Sequence, residues 1–281
     1  MLPEEGFIHD SQKNRRDPSR TGSEDKDYLP RKVFEAALQA GTILMTGGAE
    51  AFRVENTVTH IMKTVDGAEI HVVALMTGLY ASMKTAEGDY ITSLTRIRER
   101  SWDLKKIQTV NNLSRAFTEK KISLDLLKDR MDRLNRENKS ALITDLAWIF
   151  TGAFFVLLLA GSGIDFLTSV LASGILVSTK RALGYEQLFS SFISTFVSGF
   201  ILALAIGLLI NLLFVQADRA TVISGTLVTL YPGIMLSNGI RDIMQGDTLT
   251  GIGFLTQAVF TAISLSMGSG LGILLTGGQL L

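Results

Sequence analysis

The chain contains no cysteine, and its four prolines sit at positions 3, 18, 30 and 232. Without cysteine there is no disulfide framework, no thiolate nucleophile and no thiolate metal ligand. The three histidines, His9, His60 and His71, form no spaced metal-binding cluster. No Gly-x-x-x-x-Gly-Lys loop is present, because Gly47-Gly48 lacks a lysine at the required place. The chain therefore has no phosphate cradle for ATP-driven work. Charge of one sign is not in excess either, with 27 Lys and Arg against 27 Asp and Glu. That balance leaves no basic surplus for nucleic acid. Neither a cofactor nor a metal is expected, and no catalytic residue can be nominated.

The neutral average hides an uneven distribution. Residues 141–281 hold 4 Lys and Arg and 6 Asp and Glu, but 18 of the 26 glycines. A unit of that size with ten charges has too little charged surface to face water, so it belongs in a membrane. Five apolar segments are expected there, about Ala141 to Ala160, Ile164 to Thr179, Leu188 to Val215, Ala220 to Gly239 and Thr250 to Thr276. A helix needs roughly 20 residues to cross a bilayer. An odd number of spans puts the termini on opposite sides. Lys139, Lys180, Arg181 and Arg241 fall in loops on one side and Arg219 on the other, which places the N-terminal half in the cytoplasm and the C-terminus outside.

Small residues recur every four positions in three segments: Gly199, Ala203 and Gly207 before Asn211; Gly225, Thr229, Gly233 and Ser237 before Arg241; and Ser264, Gly268, Gly272 and Thr276. Such stripes serve close helix packing. A second reading has Asn211 and Arg241, at the ends of two stripes, facing an interior cavity. Pro232-Gly233 lies inside the fourth segment. Proline removes a backbone donor, so the pair either kinks the helix or breaks it into the kind of discontinuous helix that forms transport sites.

Residues 30–139 read as a cytoplasmic α/β domain behind a charged, disordered tail at 1–29, which has no apolar core to make it a signal peptide. Pro30 marks a helix start and Gly47-Gly48 its end. In the next helix Val54, Val58, Ile61, Met62 and Val65 share one face. Short β-prone runs follow at Glu69 to Met76, Leu79 to Lys84 and Tyr90 to Ile97, then helices at about Trp102 to Glu119 and Leu124 to Asn138. Glu50, Arg53 and Glu55 at the start of the second helix suggest no more than a dipole complement and a local ion pair.

Together, the stretches Gly47-Gly48-Ala49-Glu50-Ala51-Phe52-Arg53-Val54-Glu55, Thr77-Gly78-Leu79, Tyr231-Pro232-Gly233, Asn238-Gly239-Ile240-Arg241-Asp242 and Gly246-Asp247 carry a resemblance. In this order, over about residues 30 to 275, the chain resembles the threonine/serine exporter family, and more closely its larger, YjjP-like component. Met76 stands where relatives usually have proline. The resemblance implies export of small polar metabolites, either threonine and serine or a dicarboxylate such as succinate. It also implies a smaller membrane subunit carrying the second transmembrane half. Homo-oligomerisation through the same small-residue faces is the alternative assembly.

The expected architecture is thus an N-terminal cytoplasmic α/β domain followed by a five-helix transmembrane bundle at residues 140–281. The expected function is that of a secondary exporter subunit in the plasma membrane, not an enzyme. The competing reading is a membrane-anchored metabolite sensor that does not itself transport. Pro232, Gly233, Asn238, Arg241, Asp242 and Asn211 are the candidate substrate-binding residues. Gly48, Glu50, Arg53, Glu55, Thr77 and Gly78 are the motif positions of the α/β domain. Arg241 has two readings: a fork for a substrate carboxylate, or a headgroup anchor paired with Asp242 or Asp247.

Overall fold

A computed structural model describes residues 21–98, 100–137, 140–184 and 189–277. Residues 1–20 of the expected tail, Lys139 and Leu188 lie outside the described residues. Helix α1 (Thr21–Thr46) begins ahead of Pro30 and runs through it, whereas a start at Pro30 was expected. A proline φ already suits a helix, and one interior proline removes a single backbone hydrogen bond. Downstream, Val33, Phe34, Ala37, Ala40 and Leu44 bury the rest of the helix. Gly48, at φ +86°, ends the turn after α1. A side chain there would meet the Trp102 ring at 2.2 Å.

Helix α2 (Ala51–Met62) buries Val54, Val58, Ile61 and Met62, the face that the spacing predicts. Strands β1 (Glu69–Leu75), β2 (Gly78–Lys84) and β3 (Tyr90–Arg96) form an antiparallel meander in the order β1-β2-β3. Leu75 pairs with Gly78, so Met76 and Thr77 make a two-residue hairpin tip. Leu79, Ala81 and Met83 alternate inward on β2. They join α1, α2, α3 (Leu104–Thr118) and α4 (Leu124–Arg136) in one hydrophobic core, with Val110, Leu127 and Met131 fully buried.

Among the described residues, four further helices are long and apolar enough to cross a membrane: α5 (Ala141–Leu158), α6 (Gly163–Leu183), α7 (Ser191–Leu212) and α10 (Thr248–Leu275). Between the last two, α8 (Arg219–Leu227) runs into a 3-10 turn at Val228–Leu230, and α9 (Gly233–Gln245) resumes at a bend of 54°. This pair is a fifth span if counted as one. The expected end of the fourth segment near Gly239 is not a stop. Helix α9 continues to Gln245 and ends at Gly246, at φ +98°. Gly239 is instead a point of close approach to α10, where a Cβ would lie 3.0 Å from the Gly251 carbonyl oxygen. Arg241 consequently lies on a helix and not in a loop.

Long-range contacts set the direction of each helix. Thr250, at the start of α10, touches β1 of the α/β unit. At the other end of that helix the Thr276 carbonyl accepts from Asn211 at the end of α7, and Arg219 at the start of α8 reaches the Thr276 hydroxyl. The bundle thus has a near end, against the α/β unit, and a far end. The stripes on α7 and α10 face each other: Gly268 lies against the Phe196 carbonyl, Gly272 against Ala203, and Gly207 against Thr276. Glycine lets these backbones meet where hydrophobic burial offers no drive. The two stripes cover one another, so they offer no open face to a further subunit.

A Cβ at Gly268 would sit 2.1 Å from the Phe196 carbonyl oxygen, whereas one at Gly174 meets nothing within 4 Å. Gly268→Ala should therefore destabilise the purified protein by about 1–3 kcal/mol, as overpacking does. Gly174→Ala should be neutral or slightly stabilising. Thermal unfolding in detergent reads both.

Candidate functional site

The first N–H groups of a helix have no partner within it. In α2 the N-cap residue, Glu50, makes no side-chain cap. Its carboxylate is held by Arg53 at 2.9 Å and by Arg241 of α9. The cap comes instead from another helix, since the Ala51 N–H donates to Asp242 Oδ1 at 3.1 Å. Placing a carboxylate at a helix N-terminus is favourable both as a hydrogen bond and against the helix dipole. One turn back along α9, Asn238 Nδ2 donates to the Gly48 carbonyl at 2.9 Å. The Thr250 hydroxyl donates to the Ala74 carbonyl at 3.1 Å and completes the joint.

Two stretches some 190 residues apart thus form one interlock. Gly48 and Glu50 meet Asn238, Arg241 and Asp242, with Arg53 as the second partner of Glu50. Arg241 pairs with Glu50, not with Asp242 or Asp247. Asp242 is fully buried, and its Oδ2 finds no hydrogen-bond partner among the described residues. Glu55 acts inside the unit. Its Oε1 accepts from the Ala74 N–H at 2.7 Å and ties α2 to β1, and burial pushes its carboxyl above the ordinary value.

Beside the interlock lies a cavity of about 1040 Å³ between the α/β unit and the near end of the bundle. Thr77 of the hairpin tip, Arg98 and Arg100 line it from one side; Lys180 of α6 and Ser191, Ser194, Thr195 and Ser198 of α7 line it from the other. Leu230 and Met235, on either side of the Pro232 break, and Phe254 and Gln257 of α10 close it. The described lining holds three cationic side chains and no carboxylate. Arg100 donates to the Met76 carbonyl at 2.7 Å and lies over the Phe254 ring at 4.8 Å. Burial lowers its pKa to about 10, which leaves it cationic at neutral pH. Lys180 lies over the Trp148 ring at 5.2 Å. Ser194 is only 8% exposed, and its hydroxyl has no hydrogen-bond partner among the described residues. A chamber of this kind presents cations and hydroxyls to a small solute bearing a carboxylate.

The candidates from the sequence divide accordingly. Pro232 and Gly233 form the break, where the Gly233 N–H bonds to Tyr231 O at 2.9 Å, and the residues flanking them reach the chamber. Thr77 lines the chamber, and Gly78 opens β2 beside it. Asn238, Arg241 and Asp242 belong to the interlock. Asn211 lies at the far end, between Thr276 and Arg219, away from the chamber. Sequence reasoning passed over Arg98, Arg100, Ser194 and Gln257. The signal for one wall was present in Ser191, Ser194, Thr195 and Ser198, a hydroxyl stripe at helical spacing in an otherwise apolar helix.

These features define a polytopic membrane protein in which an α/β unit is bolted onto a broken helix over a polar chamber. A family model described as "Putative threonine/serine exporter" (ThrE) matches residues 35–276. The chain belongs to the threonine/serine exporter family. It is similar to the "Probable threonine/serine exporter" of Mycobacterium tuberculosis (strain ATCC 25618 / H37Rv), with 22% identity over 274 residues. That alignment covers 91% of this chain and 50% of the relative, so the chain spans half the relative's length. No solved structure matches it at a significant level.

Asp242→Ala should remove the cap at a cost of about 0.5–2 kcal/mol. The expected readout is faster amide exchange in the first turn of α2, with the rest of the α/β core unchanged. Unaltered exchange there would mean that the carboxylate does not hold the helix.

Proposed function

We propose that the chain is the part of a secondary exporter that carries the α/β unit, moving small polar metabolites with a carboxylate group out across the plasma membrane. Threonine, serine and a dicarboxylate such as succinate are the candidate substrates. The single observation that carries this reading is the chamber. Arg98, Arg100 and Lys180, with a Ser194 hydroxyl that has no partner among the described residues, converge next to a helix broken at Pro232. Broken helices and cationic groups at a cavity are what a carboxylate solute needs to leave water. At the far end Asn211, Arg219 and Thr276 are hydrogen-bonded to one another, and the chamber sits at the near end, so the geometry suits loading from the side of the α/β unit. In this reading the protein acts as a transporter and not as an enzyme.

The proposed orientation has the α/β unit in the cytoplasm and the C-terminus outside, with the bent pair as a single span. Lys180 and Arg181 near the α/β unit agree with the positive-inside tendency. The proposed partner is a smaller membrane subunit supplying the second transmembrane half, in keeping with the half-length match to the relative. A homo-oligomer is the competing assembly.

Export of threonine, serine or succinate from loaded cells tests the function. Arg98→Gln combined with Lys180→Gln should raise the half-saturating internal substrate concentration about tenfold or more, the scale of one lost charged hydrogen bond. Protein level in the membrane should be unchanged. Efflux equal with and without the gene, in cells holding the partner, would favour the sensor reading, in which the docked unit only reports. Topology reporters fused after Gly184 and after Gly277 should read inside and outside respectively.

A further inference from the structure

A second cavity, of about 620 Å³, lies between α2, α3 and α9. No described residue lines both this cavity and the chamber. Its lining includes Arg53 of α2, Arg115 of α3 and Arg241 of α9, with Asn56 and Asn111 beside them, and Glu50 is its one carboxylate among the described residues. Glu50 neutralises one of the three guanidinium groups, which leaves two positive charges facing the space. Arg53 and Arg241 are about half exposed while both engage Glu50, at 48% and 54% of their side-chain surface. A guanidinium has five donors, so each keeps N–H groups free of that contact.

We propose that this cavity is a regulatory site for a small doubly charged oxyanion, bridged by Arg115 on one side and Arg53 and Arg241 on the other. Guanidinium forks match the oxygens of a phosphate or of a paired carboxylate, and two surplus charges match a dianion. Because Arg115 belongs to α3 and Arg241 to α9, the bound anion ties the α/β unit to the broken helix and strengthens the interlock. A ligand that prefers the docked state stabilises that state by its differential affinity. The regulatory consequence rests on the reading of the interlock as the coupling joint. The binding site itself does not require that the chain transports.

Binding to the full-length chain in detergent, with inorganic phosphate and malonate as separate probes, tests the site without any transport measurement. Both should bind saturably, and the better one should slow amide exchange in the first turn of α2. A preference for phosphate identifies a phosphate ester as the natural effector, and a preference for malonate a dicarboxylate. Arg115→Gln should weaken binding at least tenfold. Arg115→Lys, which keeps the charge and loses the fork, should show an intermediate loss and serves if the first variant fails to fold. Arg130→Gln, an exposed position of α4 that lines neither cavity, should leave binding within twofold of the unmodified chain. Undiminished binding by both Arg115 variants would overturn the proposal. So would an equal loss in Arg130→Gln, or no binding of either probe at millimolar concentration.

Discussion

The N-terminus of α2 is the point on which the arrangement depends. A helix that begins with unpaired N–H groups needs an acceptor, and its own N-cap side chain is drawn aside by two arginines. Asp242, from a helix 191 residues away, supplies it. Since Asp242 is fully buried, its charge has no access to water and is tolerated only beside donors and the positive end of a helix dipole. Separation of the α/β unit from α9 would therefore take the acceptor from α2's first N–H and the donor from the Gly48 carbonyl, and would leave Glu50 with Arg53 alone. The joint is cooperative for that reason, and the position of the hairpin tip over the bundle follows from it.

Most of the local structure was legible in the sequence. The strands end within a residue or two of the expected positions, and the buried face of α2 is the one that its periodicity marks. Period-based signals report which face of an element is buried, and they do so from neighbours in the chain. They carry nothing about partners on distant elements. Arg241 was thus weighed as a headgroup anchor or a substrate fork, when its partner is Glu50. The spacing marks the stripes on α7 and α10 as close-packing faces that a second copy could use, and cannot show that the two stripes meet each other. Gly239 looked like a helix end and is a contact point, while the true stop, Gly246, takes the left-handed conformation that glycine permits. The chamber was missed because its walls come from distant parts of the chain, and the local signals, the hydroxyl stripe of α7 and the Pro232 break, do not show that they face one space.

The break at Pro232 connects the interlock to the chamber. If α8 and α9 were one straight helix, α9 could not lean by 54° to present Asn238, Arg241 and Asp242 to the α/β unit. The same bend brings Leu230 and Met235 to the chamber. The interlock and the chamber share a helix, so a displacement of the α/β unit is felt at the chamber through α9. Met76, at the hairpin tip, touches both sides, since its carbonyl holds Arg100 and its sulfur lies against Gly253 of α10.

The pairing of Glu50 with Arg241 joins the α/β unit to the broken helix, and under the proposed function export depends on this union. Exchanging the charges tests it most directly, with efflux measured for Glu50→Arg, Arg241→Glu and the two together at equal membrane levels. Each single reversal, which sets like charges against each other, should cut efflux at least tenfold, and the double reversal should recover a substantial part of it. Normal efflux from either single variant, or a double variant no better than the worse single, would contradict that dependence.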